Sequence, residues 1–113
     1  MSLADPETAR EASARAPLSV CALVRAEVRT GRDEEFAALL GDLAHQVRAE
    51  EPGCTSYFVT RMMGSPNHFA VHARFRDWRA FEGHADTEHL ARIMPRLAAM
   101  LATPLSMEIF VEA

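Results

Sequence analysis

The sequence is poor in the residues that announce most chemistries. Two cysteines, Cys21 and Cys54, in 113 residues make no disulfide framework. The five glycines, at 31, 41, 53, 64 and 83, include no pair close enough to form a dinucleotide or phosphate loop. Positive charge is not in excess: 12 basic against 16 acidic side chains give a formal net charge of -4. With no basic stripe and only 7% aromatic residues, nucleic acid is set aside as a partner. No apolar run approaches the ~20 residues that span a bilayer, and the N-terminus lacks the apolar stretch of a signal peptide, so a cytoplasmic protein is expected.

What is present suits one globular domain: 49% hydrophobic and 25% charged residues. A chain of this size buries roughly two-thirds of its unfolded surface, enough for one modest core. Residues 1–17 (MSLADPETAREASARAP) have little to bury and read as a flexible or marginally helical N-terminal tail, with Asp5-Pro6 in the form of a helix start. The domain proper is expected over 18–113.

Its elements follow from periodicity. LSVCALVRAEV (18–28) reads as a strand, apolar on both faces in its first half. After a turn at Gly31, Phe36, Leu39, Leu40, Leu43 and Val47 fall at helical spacing behind acids at 33–35. Pro52-Gly53 ends that helix. CTSYFVTRMM (54–63) and HFAVHARF (68–75) read as strands joined by a turn at Gly64-Ser65-Pro66-Asn67. Asp77 can cap a short helix carrying Trp78, Phe81 and His84, and Thr87 a second one, which Pro95 is expected to kink or restart. Residues 104–112 alternate as a half-buried last strand.

The order β-α-β-β-α-β, with the second helical element broken in two, is that of a ferredoxin-like α+β fold: an antiparallel sheet with its helices on one face. The third strand then lies between the first and second, so Cys21 and Cys54 are ~9.5 Å apart and cannot pair. The other face carries Leu23, His68, Ala70, His72 and Phe110 with no helix left to cover it. Stacking against a second copy is the economical solution, and a homodimer is expected.

Four segments carry a family resemblance: VRTGRDEEFAALL, RAEEPGCTSYFV, HFAVHARFRDWRAFEGHADTEH and the strand after Pro104. In this order and spacing, over about 19–112, the chain resembles the antibiotic-biosynthesis monooxygenase (ABM) domain family. The resemblance implies a dimeric α/β barrel. It also implies oxidation of a small aromatic phenol or quinol by molecular oxygen without metal or organic cofactor, although relatives also isomerise small metabolites, degrade haem or have no known activity. Many members carry Glu where Ala73 stands and Trp or Tyr where Phe75 stands. The haem-degrading branch has an Asn in the first strand that SVCALVRAEV lacks, which argues against haem.

Chemistry without a cofactor needs an apolar cavity, a base near neutrality and a donor for the developing oxyanion. His84 is the first candidate for the base, since imidazole ordinarily titrates near ~6.5 and His84 matches the histidine after the family's short helix. Its alternative is a helix-end histidine facing the negative end of the dipole. Tyr57 is the candidate donor, or else a core tyrosine, and whether Tyr57 or Phe58 faces the helices is open at this level. Phe69, Ala73, Phe75, Trp78 and His89 are the candidate substrate-binding residues. His72 and Arg74 are read as dimer-interface residues, Met94 and Met100 as packing. Metal is not expected: His84 and His89 lack further ligands, because Asp86 and Glu88 on the same bend rarely converge on one ion.

Overall fold

The computed structural model describes Glu7 and residues 18–113. The N-terminal tail read at 1–17 lies, Glu7 apart, outside the described residues. Along the rest run β1 (Val20–Glu27), α1 (Asp33–Glu50), β2 (Cys54–Arg61), β3 (His68–Phe75), α2 (Trp78–Ala85), α3 (Glu88–Ala98) and β4 (Ser106–Val111). The four strands form one antiparallel sheet in the order β2-β3-β1-β4, the ferredoxin-like α+β arrangement. Both cysteines are free thiols, separated by the intervening β3.

The helices cover one face, and the sheet's two-residue period sorts the side chains. Val20, Ala22 and Ala26 of β1 point inward with Phe69, Val71, Ala73 and Phe75 of β3. All but Val20 meet the stripe of α1, whose buried residues are Phe36, Leu39, Leu40, Leu43, Ala44 and Val47. Each large side chain removed from water here contributes about 1.5–3 kcal/mol. On β2 it is Tyr57 that turns inward, whereas Phe58 stays 51% exposed on the far face. The register slips between Cys54 and Ser56, and past this irregularity Tyr57 pairs with Ala73.

Two junctions set the position of α2. Asp77 caps it as expected, accepting from the Ala80 N–H at 2.9 Å. Gly53 lies against it: a Cβ there would come within 2.6 Å of the Ala80 Cβ, so the missing side chain lets α2 settle on the α1–β2 corner. The Gly53 carbonyl also accepts from the Arg76 N–H at 2.8 Å, tying the end of β3 to the same corner.

Two expectations about α3 need correction. Thr87 occupies the N-cap position, but its hydroxyl makes no cap bond and donates instead to the His84 carbonyl at 2.9 Å. Pro95 does not divide the helix, which continues to Ala98. Proline removes one N–H from the ladder, but Ile93 and Leu97 on either side are buried against the core and hold the turn. No described helix is long and apolar enough to cross a membrane.

Candidate active site

Between sheet and helices lies a cavity of about 400 Å³. Its floor owes its depth to small residues: Ala22 on β1 faces Ala73 on β3 across the ladder, and Ala73 in turn faces Tyr57 on β2. Phe69 and Phe75 complete the sheet side. Phe36 and Leu40 of α1, His84 of α2 and Met94 of α3 close it from the helical side. Apart from His84 and the Tyr57 hydroxyl the named wall is apolar, so a bound ring would be largely dehydrated.

His84 stands in the last turn of α2, where the helix end is fixed by its own carbonyl, which accepts from both the N–H and the hydroxyl of Thr87. Its ring packs against Tyr57 and Phe75, with centroids 5.7 and 5.3 Å away. Nδ1 lies 3.0 Å from both carboxylate oxygens of Glu51. Neutral imidazole carries one N–H, so a proton donated to Glu51 leaves Nε2 as the basic nitrogen. Among the described residues Nε2 has no hydrogen-bonding partner, and the ring lies on the cavity wall.

Glu51 is the site residue that the sequence reading assigned no role. It follows α1 directly, and Pro52 biases it out of the helical region; its φ and ψ are -116° and 88°. This swings the carboxylate toward α2 and α3. There one oxygen also lies 2.5 Å from Nε2 of His89, and His89 Nδ1 lies 3.5 Å from Glu50. The side chains of Glu51, His84 and His89 are only 10%, 12% and 7% exposed, so the largely buried carboxylate is paired with two imidazoles. Pairings across 33 and 38 residues leave no local pattern to read.

These three donors lie within 4.8 Å of one another, so the ligand count made from neighbours in sequence missed one. They are of metal-binding type, but their spacing is that of hydrogen bonds.

The sequence profile described as antibiotic biosynthesis monooxygenase matches residues 19–96. The chain belongs to the ABM family. Solved structures agree on the fold. A protein described as antibiotic biosynthesis monooxygenase superposes with a TM-score of 0.78 at 20% identity, over 83% of this chain and 98% of that one. Rv0793 from Mycobacterium tuberculosis gives 0.78 at 20%, covering 84% and 95%. A conserved protein from Methanosarcina mazei Go1 gives 0.78 at 20%, covering 85% and 94%. No curated protein matches the sequence.

In this ABM chain the cavity gathers His84, Tyr57, Phe69, Ala73 and Phe75 from the sequence-based set. Trp78 lies apart, in a second cluster with Val20, Ile109 and Val111. His89 stands behind Glu51, on a surface groove between α1 and α3. Met94, read as packing, reaches the wall, whereas Met100 is core. His72 and Arg74 occupy the open face of the sheet; His72 stacks on Phe58 at 5.2 Å and bonds Thr60 Oγ1 at 2.9 Å.

Burial, then the nearby Cys54 and Glu51, push the Tyr57 hydroxyl well above its ordinary 10.0, so it stays a donor at any working pH. Burial, then Glu51, push the Cys54 thiol from 9.0 up to about 11. Folding therefore holds both protons at pH values where the unfolded chain releases them. Below about pH 8 both states are protonated and the two groups contribute no slope. Above it unfolding releases protons, so stability falls. Thermal melts should show Tm dropping as pH rises from 9 to 11, with a shallower drop in Tyr57→Phe; equal slopes would contradict the assignment to Tyr57.

Proposed function

We propose that this ABM chain is a cofactor-independent monooxygenase that oxidises a small aromatic phenol or quinol with molecular oxygen. The observation that carries this is the apolar cavity with a carboxylate-paired imidazole and a protonated phenol on its wall. His84 Nε2 takes the substrate's hydroxyl proton as general base. Tyr57 donates to the oxyanion so formed. The electron-rich anion passes electrons to oxygen directly and binds it at carbon. Breakdown of the resulting peroxide leaves one oxygen atom on the ring as a carbonyl and releases the other as water. A phenol and one O2 thus give a quinone and one water, with no external reductant.

The site's setting favours a homodimer. On the helix-free face Phe58 and Phe110 are 51% and 49% exposed beside Leu23, Ala70 and His72, an apolar patch that a second copy would cover to make the dimeric barrel. Ala73, which leaves the cavity floor without an acid, favours an alternative on the same scaffold: a small-metabolite isomerase or a non-catalytic ligand-binding dimer.

Oxygen uptake across hydroquinones and polycyclic phenols, with no flavin or metal added, tests the reading. The expected result is one oxygen consumed per quinone formed, without peroxide accumulating. Proton exchange into substrate without oxygen uptake would establish the isomerase, and a stabilising ligand recovered unaltered the binding role. Light scattering should give twice 12.5 kDa; the single-chain mass would refute the dimer.

A further inference from the structure

The His84–Glu51–His89 bridge joins two spaces. At one end His84 lines the inner cavity; at the other His89 lines a separate surface groove of about 450 Å³ between α1 and α3, bordered by Asp42, Gln46, Arg92 and Arg96. Glu50, beside Nδ1 of His89, is 55% exposed. A base on an apolar cavity wall needs only one carboxylate to orient it. The second imidazole behind that carboxylate, with its own outward acid, is not needed for orientation.

From this we infer that Glu50, His89, Glu51 and His84 form a proton relay connecting the inner cavity wall to the outer groove. The inference rests on the reading of His84 as the base. The relay requires a starting arrangement in which His84 Nδ1–H and His89 Nε2–H both donate to Glu51 while His89 Nδ1–H faces Glu50. When the substrate O–H bond breaks, an N–H bond forms at His84 Nε2 and the Nδ1 proton moves onto Glu51. His89 then gives its Nδ1 proton to the Glu50 carboxylate, which faces Nδ1. One proton enters and one leaves, no electrons move, and each contact keeps a donor and an acceptor. The relay runs backward when the departing oxygen is protonated to water. Other titratable or charged groups near the path are Tyr57 and Cys54 on the β2 side, and Asp42, Arg92 and Arg96 at the groove.

The test uses the full chain and His89→Gln, with exposed His45→Gln as a control. During hydroquinone turnover, His89→Gln should lower kcat by about tenfold at unchanged KM, less than loss of the base itself. Added imidazole, small enough for the vacated groove, should restore the rate. Normal kcat, or a loss that imidazole does not relieve in a variant that still melts like the wild type, overturns the relay. If no hydroquinone consumes oxygen, the functional reading fails on its own, and exchange of the His84 ring proton with deuterated solvent, followed by isotope-edited NMR, decides the relay. It should be slower in His89→Gln than in the wild type; equal rates overturn the proposal. Should His89→Gln fail to fold, the same exchange measured in Glu51→Gln replaces it. One tight equivalent of zinc taken up by the wild type and lost in His89→Gln would also overturn it, making these residues a metal site.

Discussion

His84→Ala is expected to lower turnover of a hydroquinone by roughly a hundredfold or more while the protein still folds. A hundredfold corresponds to about 2.7 kcal/mol of transition-state stabilisation. The size follows from the placement. The ring's Nδ1 is bound by Glu51, so Nε2 is the basic nitrogen on a wall where, apart from the Tyr57 hydroxyl, the named groups are apolar. Tyr57 cannot substitute, because its hydroxyl is held protonated far above neutral pH. Truncation also leaves Glu51 with one imidazole instead of two, so a modest fall in Tm should accompany the kinetic loss. The useful separation is between kcat and KM: a base contributes chiefly to kcat, whereas a side chain that only fills the wall changes KM. Unchanged kcat in a folded His84→Ala protein would remove His84 from the mechanism.

The fold was legible because its signals are local. The stripe Phe36-Leu39-Leu40-Leu43-Val47 is the buried face of α1, and the alternation of β3 separates Phe69, Val71, Ala73 and Phe75 from His72 and Arg74 as the sheet does. The third strand's place between the first and second followed from topology alone. The site was legible only in part. His84, Tyr57, Phe69, Ala73 and Phe75 meet at one cavity, but no periodicity in the chain distinguishes Trp78, which turns toward Val20 and Ile109, from a wall residue. Which of Tyr57 and Phe58 faces inward depended on an irregularity at Cys54–Ser56 that the sequence does not mark. Glu51 was hidden for another reason: an acid before proline at a helix end has a local explanation, so nothing calls for a distant partner. Position 73, where the resemblance leads one to look for an acid, is Ala; the acid that pairs with the cavity's histidine stands at 51, just after α1.

Phe75→Ala should be the most damaging single truncation among the wall residues, costing about 3–5 kcal/mol. The ring is almost fully buried and touches three parts of the molecule at once: the Phe81 ring at 5.4 Å, the His84 ring at 5.3 Å, and the shared core under α1. Removing it merges new empty space with a cavity that already exists, so the surroundings gain no atom to collapse onto, and the cost should fall at the high end of the range. Against the ~5–15 kcal/mol by which a domain is ordinarily stable, this is a large fraction. Urea unfolding should show a lower midpoint with an unchanged slope. Phe75→Leu, which keeps most of the volume, should recover much of the difference. The kinetic consequence is separate: without Phe75 the His84 imidazole loses one of the two rings that fix its tilt, while Glu51 still holds Nδ1. Turnover in folded Phe75→Ala should therefore fall less than in His84→Ala, with KM rising because the wall has moved away from the substrate. A midpoint within error of the wild type would show that the cavity refills by rearrangement of α2, and that the pocket beneath His84 is not a fixed feature of the fold.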